Sequence, residues 1–136
     1  MVIVKSDETS ERGVLPDEEY LSAMDRYNEE LVRAGVLLAA EGLAPSSEGK
    51  KVRFTGGRTT VIDGPFTETK ELVAGFWLLE VRSMDEALEW VRRIPVPDDS
   101  ESGSGEIEIR VVADLEGHPT GPQLAAQAAA GGTTGP

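Results

Sequence analysis

Two amphipathic stretches, each set between short β-branched runs, constrain this chain more than any other feature. Over residues 17–34, Tyr20, Met24, Tyr27 and Leu31 recur at helical spacing on one face, which Leu21 and Val32 widen. Pro16 stands where a first helical turn tolerates it, and Asp17, Glu18 and Glu19 suit the positive end of the helix dipole. Gly35 is a natural stop. The second stretch opens on Ser83-Met84-Asp85-Glu86, a capping-box pattern, runs through Ala87, Leu88, Val91 and Ile94, and ends at Pro95. Strands are predicted at residues 1–5, 36–40, 73–82 and 106–113. In the last of these Ile107, Ile109, Val111 and Ala113 face one way and Glu106, Glu108 and Arg110 the other. Strands at 52–55 and 59–62 flank Gly56-Gly57, a β-hairpin signal, and Asp63-Gly64-Pro65 reads as a turn. Thr67 is placed to cap one helical turn through Glu71. Residues 6–13 and 97–105 read as loops.

The order is β-α-β, a hairpin, then β-α-β, in a chain of 136 residues, enough for one core and not for two. That predicts an α+β domain over residues 1–114: a ferredoxin-like βαβ–βαβ sandwich with a β-hairpin insertion and both helices on one face of an antiparallel sheet. Strand 73–82 carries bulky residues in both alternating sets, so the other sheet face is apolar too and needs a cover. A second copy of the same sheet supplies it most simply, which predicts a homodimer. From Gly117 onward charge almost vanishes and Gly, Pro, Ala and Thr dominate, so residues 115–136 read as a disordered low-complexity tail. The alanine run at 125–130 has no apolar stripe to bury.

The net charge of −12 repels phosphates, which excludes direct nucleic-acid or anionic-membrane binding. No apolar run approaches the ~18 residues of a membrane span, and the first residues lack a signal-peptide layout, so the expected compartment is the cytoplasm. The absence of Cys excludes thiol chemistry and Cys-ligated metals. A single His, His118, gives no metal site, and no G-x-G-x-x-G or Walker A pattern supports a nucleotide; no cofactor is expected. The charge is uneven, however. Lys50, Lys51, Arg53, Arg58 and Lys70 against Asp63 and Glu68 give residues 50–70 a local sum of +3, leaving −15 elsewhere. A small carboxylate or phosphate is the ligand such a segment favours.

The basic segment ends in Asp63-Gly64-Pro65-Phe66-Thr67-Glu68-Thr69-Lys70-Glu71. Here the sequence resembles the YCII-related superfamily, specifically the branch named for its DGPF-x-ETKE motif. Glu41-Gly42-Leu43, Gly75-Phe76-Trp77, Glu86-Ala87-Leu88-Glu89-Trp90 and Ile107-Glu108-Ile109-Arg110 extend the resemblance over residues 1–113. It implies a dimeric α+β barrel, similar to that of muconolactone isomerases and small monooxygenases, with pockets between sheet and helices. The His–Asp pair proposed for the YciI-type branch does not transfer, since the first helix has no His. Members of the DGPF branch are often encoded beside extracytoplasmic-function sigma factors, which implies such a factor as an alternative partner for a non-catalytic accessory protein.

Two roles are open to Asp63: closing its own turn, or standing rigidly at a strand end as a general base. Such a base needs a partner, for which Glu41, Glu68 and Glu71 are candidates, Glu68 as the second catalytic carboxylate and Glu71 also as a substrate contact. Glu68 and Glu71 share a face if the turn is helical, and both equally suit an ordinary charged first turn. Lys70 and Arg58 are candidate anion ligands, with Lys70 also placed for an internal ion pair. Arg110 either pairs with Glu106 or Glu108 or reaches into a cleft. Phe66 is a candidate substrate contact or a packing residue.

Overall fold

The computed structural model describes residues 1–96, 105–114, 117–119 and 121–131. The expected loop at 97–105, with the acidic pair Asp98 and Asp99, lies outside them except for Gly105, and so do the side chains of Lys70 and Pro122. The elements are β1 (Val2–Lys5), α1 (Glu8–Glu11), α2 (Glu18–Arg33), β2 (Leu37–Gly42), β3 (Lys50–Thr55), β4 (Arg58–Asp63), β5 (Val73–Leu79), α3 (Met84–Arg92), β6 (Ile107–Ile109) and α4 (Gly121–Gly131). Single 3-10 turns occur at Ser46–Glu48 and Thr69–Glu71.

Local signals set the helix ends. The Asp17 carboxylate accepts from the Tyr20 amide at 2.8 Å, and Gly35, at φ 72°, turns the chain out of α2. The Ser83 hydroxyl accepts from the Glu86 amide at 3.1 Å, while the Glu86 carboxylate accepts from the Arg82 amide at 2.9 Å, one residue earlier than a capping box would place it. Residues 6–13 are not all loop. Asp7 and Ser10 satisfy each other's backbone amides and close the short helix α1. The turn Thr69–Glu71 starts beyond the expected Thr67 cap and has no side-chain cap.

β1, β2, β5 and β6 form one antiparallel sheet in the order β2-β5-β1-β6. Numbered among themselves, these strands lie second, third, first, fourth, an order consistent with a ferredoxin-like sandwich. β3 and β4 form a separate two-stranded sheet, inserted between β2 and β5. Among the described residues the four-stranded sheet stays open and closes no barrel. Two strands are shorter than their apolar runs. β5 ends at Leu79 because its partner β2 begins at Leu37; the last rung runs from the Glu80 amide to the Val36 carbonyl, 2.8 Å. β6 ends at Ile109 because β1 has only four residues, and Val111, expected to face the core, is exposed.

Both long helices cover the same sheet face. Val2, Tyr27, Leu31, Val36 and Trp77 are its buried centre, with Met24, Leu79, Trp90, Val91, Ile94 and Ile107 packed around them. Tyr27 meets Trp77 edge-on, ring centroids 5.7 Å apart at 84°, and donates its hydroxyl to the Trp90 carbonyl at 2.7 Å. Trp77 donates its indole N–H to Asn28 Oδ1 at 2.8 Å. The large aromatic groups therefore bury their area without orphaning a donor. Alternation puts Ile3, Ala74, Phe76 and Leu78 on the helix-free face, in register as Ile3–Phe76 and Ala39–Leu78. They are only half-buried there.

The tail carries α4, contrary to the expected disorder. Alanine favours the helical state, and the described side chains of α4 are exposed. No helix among the described residues is long and apolar enough to cross a membrane.

Leu31→Ala, at a fully buried position, is expected to lower urea-measured stability by about 3 kcal/mol. Burial, with a smaller push from Glu30 that Arg93 opposes, raises the Tyr27 hydroxyl to about 12. The folded state thus holds this proton longer than the unfolded chain. Its contribution is complete below the ordinary tyrosine range near 10 and is lost as pH rises towards about 12. Tyr27→Phe is expected to flatten the fall of stability with pH in that window; an unchanged slope would contradict the assignment.

Candidate functional site

The segment at residues 63–71 begins at the end of β4 and runs into the turn before β5, where the hairpin leaves the domain. Its first requirement is steric. A Cβ at Gly64 would lie 1.7 Å from the Ser46 carbonyl oxygen, so only glycine lets the two backbones pass. The Gly64–Pro65 bond is cis. The Gly64 amide donates to the Gly49 carbonyl at 3.0 Å, and the Phe66 amide donates to Ser46 Oγ, also at 3.0 Å.

Ser46 is itself held by Glu11 of α1. Its amide donates to Oε1 at 3.0 Å and its hydroxyl to Oε2 at 2.5 Å. One part-buried carboxylate thus takes two donors from a single residue, and that residue's oxygen accepts from the motif. The result is a polar chain Glu11–Ser46–Phe66 joining α1, the 3-10 turn Ser46–Glu48 and the start of the motif. The Lys51 ammonium lies 4.5 Å above the Phe66 ring, a cation–π contact. An open groove of ≈ 310 Å³ follows this junction, lined by Glu8, Glu11, Arg12, Pro65, Phe66 and Thr69. A second open depression, ≈ 400 Å³, lies on α2 along Asp25, Asn28, Glu29, Val32 and Arg33.

The residues singled out from sequence do not converge. Asp63 neither closes its own turn nor lines the groove; its Oδ1 accepts from Lys50 Nζ at 2.5 Å across the base of the hairpin, with both side chains exposed. That pairing follows from register. The Gly56-Gly57 turn sets Thr55 opposite Arg58, and counting outward sets Lys50 opposite Asp63. Glu68 and Glu71 are exposed and line neither depression. Phe66 does line the groove. Arg58 stands at the hairpin tip, about 17 Å along β4 from Asp63. Arg110 lies past the end of β6 and donates to Glu108 at 3.2 Å, along its own strand. That hydrogen bond, and then the charge of Lys5 at 3.6 Å, hold the Glu108 carboxyl below its ordinary range. The Lys70 side chain lies outside the described residues. Among the described residues no group of three or more acidic, His or Cys side chains is gathered to hold a metal ion.

Residues 1–116 match the YCII-related domain. The chain belongs to that family. It is also 34% identical, over 97 residues, to an uncharacterised protein of Rhizobium meliloti (strain 1021), an alignment covering 71% of this chain and 76% of the relative. The groups that sequence reading missed in this YCII-related chain are Glu11, Arg12 and Ser46. Asp7-x-x-Ser10 marks the helix that carries Glu11, but nothing local links Glu11 to a serine 35 residues away.

Gly64→Ala is expected to destabilise the protein by about 2 kcal/mol or more, since backbone must move to admit the methyl group. Gly42→Ala, where a Cβ meets no atom within 4 Å, serves as the control and is expected to change stability little in the same denaturation assay.

Proposed function

We propose that this chain is a homodimeric protein of the DGPF branch that binds a small anion at the groove beside residues 63–71, without proton transfer by Asp63 or Glu68. The observation that carries the reading is the division of charge at the groove. The motif carboxylates are turned elsewhere, Asp63 to Lys50 and Glu68 and Glu71 to solvent. Arg12 lines the groove, its Nε fixed on the Glu8 carbonyl at 3.3 Å, and Lys51 stands over the Phe66 wall. Of the two carboxylates that remain, Glu11 is engaged by both donors of Ser46. Arg12 and Lys51 are the cations a carboxylate or phosphate meets there, and Glu8 and Glu11 keep their charge, so binding depends on both cations together. The dimer half of the proposal is supported by the helix-free face, where Ile3, Ala74, Phe76 and Leu78 await a cover that the same face of a second copy supplies, closing the barrel.

A specific observation favours a second reading, an accessory protein for an extracytoplasmic-function sigma factor. Glu18, Glu19, Asp25 and Glu29 are exposed along α2 and present an acidic strip suited to a basic protein surface.

Calorimetric titration with inorganic phosphate and with succinate tests the first reading. Saturable binding of one of them is expected, weakened about tenfold or more in Arg12→Gln/Lys51→Gln and unchanged in Asp63→Asn. Absence of saturable binding by either probe, or binding indifferent to the double variant, would overturn it. Charge reversal along α2 that abolishes capture of a co-encoded sigma factor would support the second reading.

A further inference from the structure

The groove beside residues 63–71 carries a charge pattern that a simple anion leaves half unused. Glu8 and Arg12 both line it, and both are exposed. They stand one helical turn apart, the Arg12 amide donating to the Glu8 carbonyl. At that spacing, about 5–6 Å between Cβ atoms, a Glu and an Arg ordinarily close on each other. Here they do not. Arg12 Nε is fixed on the Glu8 backbone carbonyl at 3.3 Å, and neither the Glu8 carboxylate nor the Arg12 Nη groups have a partner among the described residues. Glu11, on the same short helix, is already committed to both donors of Ser46. The facing wall is apolar, made by Pro65 and the half-buried Phe66, and Thr69 completes the lining. The two walls are tied together. α1 buries no residue of its own, and the Glu11–Ser46–Phe66 chain sets it against the segment at 63–71. The backbone positions that carry a carboxylate, a guanidinium and an aromatic ring are therefore assembled before any ligand arrives.

We infer that the groove takes an α-amino acid with an apolar side chain, its carboxylate on Arg12, its ammonium on Glu8 and its side chain against Pro65 and Phe66. The inference rests on the anion reading, whose carboxylate it keeps, and names the rest of the ligand. Charge selects a zwitterion. Glu8 and Glu11 stand against Arg12 and the neighbouring Lys51, so the groove and its rim are neutral in sum, and a ligand with negative groups alone leaves Glu8 unanswered. An ammonium beside the ligand's carboxylate answers it with a charge-assisted hydrogen bond. Geometry agrees. Both charged groups of an α-amino acid sit on one carbon, so a single molecule spans two side chains one helical turn apart. The remaining substituent of that carbon has Pro65 and Phe66 for apolar surface. The space of ≈ 310 Å³ is at the small end for ligand sites and suits one amino acid rather than a peptide.

The full chain is titrated calorimetrically with L-phenylalanine and with compounds that each lack one of its groups: hydrocinnamate without the ammonium, phenethylamine without the carboxylate, and glycine without the side chain. L-Phenylalanine is expected to bind saturably, and each of the others about tenfold or more weaker. Glu8→Gln, at an exposed position, is expected to bring L-phenylalanine down to the affinity of hydrocinnamate while hydrocinnamate itself binds no more weakly. General damage to the groove would weaken both. Any of the lesser compounds binding as tightly as L-phenylalanine, L-phenylalanine indifferent to Glu8→Gln, or no saturable binding of L-phenylalanine overturns the amino-acid inference. The anion reading stands or falls separately, on phosphate and succinate.

Discussion

The contact on which the rest of the structure depends is the passage of Gly64 beneath the Ser46 carbonyl. Two chain segments separated by a whole hairpin approach so closely there that any side chain at position 64 would collide with backbone. Such proximity costs conformational entropy and desolvates polar groups, so it persists only if those groups are satisfied. They are: Gly49 takes the Gly64 amide, Ser46 takes the Phe66 amide, and Glu11 takes both donors of Ser46. The segment at residues 63–71 is in this view first a joint. Its glycine permits the approach, its aspartate ties the two strands at the hairpin base, and its phenylalanine supplies an amide to the polar chain and a ring to Lys51.

The joint divides the molecule into two regimes. On the helix side of the sheet, Tyr27, Trp77 and Leu31 are buried with their polar atoms paired, the arrangement of a finished core. On the other side and along the hairpin, apolar residues remain half-buried or exposed. A small domain has little surplus stability to leave such area wet without use. The proposed homodimer answers that asymmetry.

Much of the architecture was legible because its causes are local. Asp17 and Gly35 bound α2, Ser83 opens α3, and Gly56-Gly57 sets the hairpin, each through the backbone geometry or the donors of a few neighbours. Two βαβ units in one short chain then left few ways to order the strands. The strand ends were not legible, since β5 and β6 stop where their partners stop and not where apolar residues run out. The tail reads as disordered because its sequence has no apolar stripe to bury, yet alanine needs no burial to turn helical. For the candidate site, a carboxylate beside Gly-Pro reads as a turn closer or a general base until the register is counted outward from the hairpin turn, which hands Asp63 to Lys50. The groove itself was beyond reach, because Glu11 and Ser46 meet only in three dimensions.

Amide hydrogen exchange at Phe66 tests the joint most directly. If the Glu11–Ser46–Phe66 chain holds the motif to the domain, this amide exchanges at rates like those of the β5 core, while the amides of Gly56 and Gly57 at the hairpin tip exchange freely. A Phe66 amide exchanging as fast as the tip would contradict the account.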